Sequence, residues 1–334
     1  MTSTPRVSVV LPFRDAAATL AEALRSIAAQ TLPAFECLLV DNGSLDSSTA
    51  TARAAAQRDA RFRVLRSDGG LVQTLNTGIA AARAPLIARM DADDLAHPTR
   101  LARQLAALAA DPSLAVMSCL VECFPADAPG RGMHRYAAWL NGLRTPDAIR
   151  AALFIESPIA HPSAVVTRAA LDAVGGYHDT GGPEDYDLWL RLLLRGYRAA
   201  KVAAVLLYWR DSAGRLSRVD PRCDRRRFFA TKVAHFPAAV PPGTPLQIWG
   251  AGPTGRAWAR ALTGRGYPVR RFVDIAPQRW QRTIDGVRIH APHAPERCNG
   301  FVLAATGTPG ARAYLEGWFQ QCGLRACDDY LAVA

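Results

Sequence analysis

The sequence predicts an α/β protein: a mostly parallel sheet covered by helices on both faces, followed by a smaller α/β unit. Three observations carry that prediction. Short apolar runs alternate with helix-period segments over the first 110 residues. Three of those runs lead into polar loops, at Pro12-Phe13, Asp41-Asn42-Gly43-Ser44 and Asp91-Ala92-Asp93-Asp94. A proline- and glycine-rich stretch, residues 240–245, then precedes a new apolar strand and a second glycine-rich turn.

The elements follow in order. Residues 7–11 read as a buried strand. Residues 16–30 read as a helix with Leu20, Leu24 and Ile27 on one face, capped by Asp15. Residues 35–40 form the next strand, and a helix follows over 47–57 with Asp46 as N-cap. A short strand at 62–65 precedes a helix at 71–82 that turns Leu75 and Ile79 inward. A strand at 86–90 runs directly into Asp91, and a helix spans 99–110. From Ser118 to Val240 the alternation weakens. Gly130 to Gly132 reads as a loop, 163–167 as a strand and 168–174 as a short helix ended by Gly175-Gly176-Tyr177. Residues 186–195 form an amphipathic helix and 202–208 a strand. Beyond 245, strands are expected at 246–249, 271–273 and 301–305, with helices from Gly255 to about Leu262 and over 311–321.

Composition narrows the function. The 334 residues are 49% hydrophobic and 21% charged, which excludes a disordered or fibrous chain. The net charge is +11, and Lys201 and Lys232 are the only lysines. The arginines are interspersed with acids and no nucleic-acid motif is present. Phosphate-bearing small molecules or lipid headgroups are therefore expected as partners, and nucleic acid is not. The seven cysteines, Cys37, Cys119, Cys123, Cys223, Cys298, Cys322 and Cys327, are odd in number and irregularly spaced. They read as reduced thiols, and Cys119 with Cys123 lacks the second pair of a metal site. The first strand meets Pro12 too early for a signal peptide, and no run approaches the ~18 apolar residues of a spanning helix. The expected location is the cytoplasm, with peripheral contact at the inner face of the membrane as an option. One segment bears on it: Arg225-Arg226-Arg227 beside Phe228-Phe229, then Lys232 and Phe236. It either rests on an anionic surface or packs its phenylalanines inward and leaves the arginines solvated, and the second is preferred.

Three segments carry chemistry. Carboxylates spaced as in Asp91-Ala92-Asp93-Asp94 suit Mg²⁺ or Mn²⁺, which would neutralise a leaving diphosphate; the alternative is a solvated turn capping the next helix. Asp41 can accept from a base N–H or a ribose hydroxyl. Glu184 and Asp185 stand where a helix dipole favours acids, and one of them could equally serve as a general base.

The ordered set Val9-Val10-Leu11-Pro12-Phe13, Val40-Asp41-Asn42-Gly43-Ser44, Met90-Asp91-Ala92-Asp93-Asp94, His161-Pro162-Ser163, Gly175-Gly176-Tyr177 and Glu184-Asp185 resembles inverting glycosyltransferases of family 2. The resemblance covers about residues 6–220. It implies a GT-A, nucleotide-diphospho-sugar-transferase-like mixed sheet over residues 1–240, with a donor half at 6–115 and an acceptor half at 116–240. It further implies that Pro12, Phe13 and Asp41 line the nucleoside pocket, that Asp91 and Ala92 sit by the ribose or metal, and that Asp93 is the direct metal ligand. Asp185 would be the catalytic base, with Glu184 beside it. Asn76 and Gly78 would approach the sugar nucleotide, although an ordinary packed helix explains them as well. The family's late basic motif is matched loosely by Trp209-Arg210 and Arg215-Leu216-Ser217-Arg218, where Arg210 or Arg215 would close over the diphosphate or lie in a surface loop. Asn42 stands where the family often has a second acid. His161 reads as a buried, satisfied histidine.

The implied reaction is one in-line displacement with inversion, from a UDP- or dTDP-linked sugar to a hydroxyl of a glycan or lipid-linked acceptor, as in cell-surface polysaccharide biosynthesis. The lack of spanning helices argues against a processive synthase. Two rivals stand beside this. A nucleotidyltransferase needs a glycine- and arginine-rich loop after the first strand, which Pro12-Phe13-Arg14-Asp15 does not supply. A non-catalytic nucleotide-sugar-binding protein would show no donor turnover.

In the last unit, residues 243–334, Gly250-x-Gly252-x-x-Gly255 follows a strand and opens a helix, and Asp274 ends the next strand. The unit resembles Rossmann-like nucleotide-sugar-binding modules. It either binds a nucleotide through Gly250, Gly252, Gly255 and Asp274, or serves to position a partner or form a homodimer.

Overall fold

The structure, a computed structural model, describes residues 4–125, 130–212, 214–292, 300–307 and 310–334. Cys298 lies outside the described residues. Internal contacts divide the chain into two compact units. The first runs to Ile149 and resumes over Pro158–Phe228; the second takes Arg150–Ser157 and Phe229–Ala334. The division thus falls earlier than residues 240–243.

The first unit begins with β1 (Val7–Phe13), α1 (Leu20–Ala28), β2 (Phe35–Asp41), α2 (Ser48–Arg58), β3 (Phe62–Arg66), α3 (Gly70–Ala81) and β4 (Leu86–Arg89). It continues with β5 (Leu95–Ala96), α4 (Arg100–Ala110), β6 (Leu114–Phe124), α5 (Arg131–Gly142), α6 (Pro146–Ala151), β7 (Val165–Thr167), α7 (Arg168–Ala173), α8 (Glu184–Leu194), β8 (Arg198–Arg210) and α9 (Leu216–Val219). Helix α10 (Arg225–Ala239) contains the division between units.

The strands form one eight-stranded sheet in the order β3-β2-β1-β4-β7-β6-β8-β5. Strands β1 to β4 are mutually parallel, whereas β7 runs antiparallel to both β4 and β6, and β5 antiparallel to β8. The sheet is therefore mixed, as the GT-A resemblance implies, and still mostly parallel, as the alternation suggests: β6 and β8 run with β1 to β4, and only β7 and β5 run against them. Register fixes what matters for function. Phe13 lies opposite Asp41 and Val10 opposite Arg89, so the loops after β1, β2 and β4 leave the same edge.

Two elements differ from expectation for identifiable reasons. Gly130 to Gly132 is not a loop: α5 starts at Arg131, because Met133, Tyr136, Ala137 and Leu140 recur at helical spacing and pack on the core. Asp15 does not cap α1, which starts only at Leu20. Its φ is +47°, and its carboxylate accepts the Leu45 N–H at 2.8 Å. The turn between is pinned by Ser48 Oγ, which accepts from Ala16 N–H, and by Asp46, which accepts from Ala17 N–H. Asp46 also accepts the Ser48 N–H, one residue outside the helix end, while Ser47 is the N-cap.

One buried charge stitches β1, β2, β3 and the approach to β4 together. Glu36 accepts from Ser8 Oγ at 2.7 Å, the Arg83 N–H at 2.7 Å, Arg83 Nε at 2.9 Å and Arg63 Nη1 at 3.1 Å. Burial pushes its pKa up, but these donors outweigh burial and leave it below the ordinary glutamate value. A lowered acid pKa contributes stability that is present above the unfolded pKa and lost as pH falls. Glu36→Gln is expected to cost about 2–4 kcal/mol at neutral pH. Urea unfolding checks this, and the gap to wild type should close in acid.

The second unit contains β9 (Leu246–Trp249), α11 (Pro253–Thr263), β10 (Val269–Val273), β11 (Thr283–Ile284), β12 (Val287–His290), β13 (Phe301–Ala304), α12 (Ala311–Gln321) and β14 (Tyr330–Ala332). Its sheet order is β11-β12-β10-β9-β13-β14, parallel except for the β11–β12 hairpin. Trp249, Val273, Val302, Leu315 and Phe319 fill its core. Within this unit Phe236 is fully buried against Phe154, Trp258 and Tyr267, and Phe229 meets Trp258 edge-on. In the first unit Phe228 stacks on Tyr186 at 5.2 Å. Of the phenylalanines of segment 222–236, Phe236 is buried and Phe228 and Phe229 are half-buried against these aromatic rings, while Arg225, Arg226 and Arg227 are exposed. Among the described residues, no helix is long and apolar enough to cross a membrane.

Candidate active site

A cavity of about 660 Å³ opens where β1 and β4 end. The end of β1 gives Pro12 and Phe13 to its wall and the loop after it Arg14 and Asp15; Asn42 directly follows β2, and Leu71 and Thr74 come from α3. Arg89, Asp91, Ala92 and Asp93 form the β4 side. Arg210 approaches from the end of β8, and Asp220 and Arg222 from the segment after it.

The acids define its chemistry. Carboxylate oxygens of Asp91, Asp93 and Asp94 all lie within 4.8 Å of one another. Burial, then the charge of Asp91, pushes Asp93 up to about 6. Burial, then Asp91 and Asp93, drives Asp94 well above the ordinary carboxylate range. Three acids this close resist full ionisation unless a cation joins them. Arg89 offsets part of the charge, with Nη2 donating to Asp91 Oδ1 at 2.6 Å. Asp94 Oδ1 accepts the Arg210 N–H at 2.8 Å, but Oδ2 is buried without a hydrogen-bond partner among the described residues. An all-oxygen donor set with an unsatisfied buried oxygen fits a hard divalent cation.

Each basic residue of the site has a partner, and the partners differ in kind. Arg89 is buried; burial opposes its charge, yet Asp91, Tyr177 and Glu184 hold its pKa above the usual arginine value. Its strand end is braced from behind by Arg100, whose Nη2 donates to the Arg89 carbonyl at 2.7 Å. Arg210 is largely committed: Nε donates to the Asp93 carbonyl and Nη2 to Glu22, both at 2.6 Å, and its guanidinium lies over Phe124. It props the acidic turn from a place on the cavity wall. Arg215 lies over the Trp209 ring, and its charge lowers the Asp93 and Asp94 pKa values. Arg222 pairs with Asp220 on the cavity wall. Arg89 and Arg222 went unnoticed in the sequence. The usable signal was an arginine ending an otherwise apolar strand just before Asp91; Arg222 sits in an arginine-rich tract that gives it no distinction.

Among the described residues, Asp41, Asn76, Gly78, Glu184 and Asp185 are not part of this wall. Asp41 spends one oxygen on the Ser44 N–H at 2.9 Å and the other on Thr49 Oγ1 at 2.6 Å, shaping the loop that presents Asn42. Gly78 is a packing residue, since a Cβ there would meet Val10 Cγ1 at 2.5 Å. Asn76 is a clamp: Nδ2 donates to the Tyr177 carbonyl at 2.8 Å and Oδ1 accepts the Tyr177 N–H at 3.0 Å. Asn76→Ala should therefore cost about 1–3 kcal/mol of stability, read by thermal or urea unfolding, with little change in donor KM.

Helix α8 opens with Glu184 and Asp185 in its first turn. Burial raises the Glu184 pKa, and the charges acting on it include Arg222, Arg89 and Asp91, all on the cavity wall. His161 stands 3.8 Å from Glu184 Oε1 and hydrogen-bonds the Tyr177 hydroxyl at 2.6 Å. Burial, then the charge of Arg89, lowers its pKa far enough to keep it neutral. Asp185 is half-buried in the first helical turn, where its Oδ1 accepts the Tyr186 N–H.

Residues 8–175 match the model of the family described as Glycosyl transferase family 2. The chain belongs to glycosyltransferase family 2. It is 34% identical over 193 residues to O-antigen biosynthesis protein RfbC of Myxococcus xanthus, covering 56% of this chain and only 14% of that protein. It is 26% identical over 213 residues to an Escherichia coli UDP-Gal:alpha-D-GlcNAc-diphosphoundecaprenol beta-1,3-galactosyltransferase, covering 63% of this chain and 75% of that one. Among solved structures, Staphylococcus aureus TarS in complex with UDP-GlcNAc superposes with a TM-score of 0.56 at 16% identity, over 71% of this chain and 67% of that one. The Pyrobaculum calidifontis mannosyltransferase PcManGT, in complex with GDP-Man and Mn²⁺, gives 0.51 at 21% identity, over 79% and 80%. These likenesses establish the GT-A fold, and the family establishes this glycosyltransferase as an enzyme of sugar transfer.

Proposed function

We propose that this glycosyltransferase moves a sugar from a nucleoside diphosphate donor, UDP- or dTDP-linked, to a hydroxyl of a glycan or lipid-linked acceptor, with inversion and with a divalent metal. The observation that carries the proposal is the convergence of Asp91, Asp93 and Asp94, with Asp91 and Asp93 on the wall of the cavity where β1 and β4 end and Asp94 buried beside them. Asp93 and Asp91 are the metal ligands, with Asp94 completing the set. A Mn²⁺ or Mg²⁺ bound there supplies neutralisation of the diphosphate leaving group. Pro12, Phe13 and Asn42 receive the nucleoside, and Arg89 and Arg222 counter the phosphate charge. Asp185 takes the proton of the attacking hydroxyl. Glu184, held next to neutral His161, fixes the approach to the reacting centre.

Two supports come from relatives. The E. coli enzyme is named for transfer from UDP-Gal to a lipid-linked sugar, and RfbC for O-antigen biosynthesis. Cell-surface polysaccharide biosynthesis is the matching role here. The first unit is the catalytic domain in this proposal. A screen of nucleotide sugars with Mn²⁺, read by nucleoside diphosphate release and by the anomeric configuration of the product, tests it. Retention at the anomeric carbon would overturn the single displacement.

A further inference from the structure

We propose that the second unit holds its own nucleoside-phosphate site, in a cavity at the carboxyl ends of β9, β10 and β13. The cavity measures about 760 Å³, within the range of small-molecule pockets. Each glycine of the turn after β9 has a distinct role. Gly250 has a φ of +114°, and a Cβ there would meet the Ala305 carbonyl at 2.7 Å. A Cβ on Gly255 would lie 1.9 Å from the Gly250 carbonyl, so α11 packs tightly on the strand. Gly252 has no atom within 4 Å of such a Cβ, and it lines the cavity as the N-cap of the 11-residue helix α11. This leaves room for an anion at that helix end.

Independent features point to a ligand. Two large apolar side chains of the cavity wall stand in water: Ile275 is 69% exposed and Tyr314 is 71% exposed. They come from different elements, the end of β10 and α12, and a nucleobase is the flat apolar group that would cover them. Asp274 argues for the class of nucleotide. Its Oδ2 accepts from the Ala251 N–H at 2.8 Å and from Arg279 Nη1 at 2.7 Å, and its Oδ1 from the Ala276 N–H at 2.9 Å. These bonds brace the glycine turn and occupy the acid that a dinucleotide fold offers to a ribose diol. Recognition therefore runs through phosphate and base, the groups that a nucleoside phosphate offers besides the diol.

The site is separate from the Asp91 cavity and does not rest on the catalytic proposal. The test titrates the full chain with ADP, GDP, UDP and UDP-glucose in EDTA. Gly252→Asp suits the fold, because Asp is a preferred N-cap and the position is open, but it sets a negative charge where phosphate would lie. At least one probe should bind wild type, and Gly252→Asp should weaken it by roughly tenfold or more without lowering the unfolding temperature. Tyr314→Ala should weaken it as well, through the base. Binding of UDP but not UDP-glucose would identify a free nucleotide as ligand, and binding of both a nucleotide sugar. Absence of binding for every probe, or binding unchanged by Gly252→Asp, would overturn the proposal. Donor turnover should survive Gly252→Asp, so failure here is distinguishable from failure of the catalytic account.

Discussion

Asp93→Asn is expected to lower donor turnover by about 10²–10³-fold, equivalent to roughly 3–4 kcal/mol of transition-state stabilisation. The substitution keeps the shape of the side chain and removes one of the converging charges. It should not unfold the protein. Burial and then Asp91 raise the Asp93 pKa to about 6. An acid whose pKa is raised on folding contributes stability below its unfolded pKa, and that contribution is lost as pH rises through the folded value. Ionised Asp93 is therefore a strain on the metal-free fold at neutral pH, and asparagine relieves it. In EDTA the variant should melt at or above wild type, while the stabilisation that Mn²⁺ gives wild type should vanish. Steady-state kinetics and thermal unfolding check the two halves separately. Unchanged turnover would remove Asp93 from the metal site.

Asp185→Asn is expected to reduce kcat by about 10²–10⁴-fold while leaving donor KM close to wild type. The asymmetry follows from position: Asp185 lies at the start of α8, outside the wall of the donor cavity. Removing a base slows proton transfer without disturbing nucleotide contacts. Glu184→Gln supplies the contrast. Glu184 is buried next to His161, so its loss should act through the position of the α8 terminus and produce a smaller kcat effect. A larger kcat loss in Glu184→Gln than in Asp185→Asn, with both folded, would exchange the two roles.

The donor half was legible in the sequence because its information is local. Each of β1, β2 and β4 is a short apolar run, and the parallel register then brings Pro12-Phe13, the Asp41 loop and Asp91 to one edge. The mixed part of the sheet was not legible that way. Strand β6 is an apolar run without alternation, and the antiparallel β7 between β4 and β6 is a long-range pairing that no local pattern encodes. Helix α5 was hidden by Gly130 and Gly132, although Met133, Tyr136, Ala137 and Leu140 carried the helical period. Side-chain commitments were the least legible. Nothing in the order of residues tells that Asn76 clamps Tyr177, 101 positions away, or that Arg210 bonds the Asp93 carbonyl and Glu22. The same limit hid Arg89 and Arg222, whose place in the cavity depends on which charges surround them.

The central claim is that Asp91, Asp93 and Asp94 hold a divalent ion in the donor cavity. Mn²⁺ electron paramagnetic resonance on the full chain, with UDP or dTDP present, tests it most directly. One tightly held ion per chain is expected in wild type and none in Asp93→Asn. No held ion in wild type, or the same ion retained in Asp93→Asn, would contradict it.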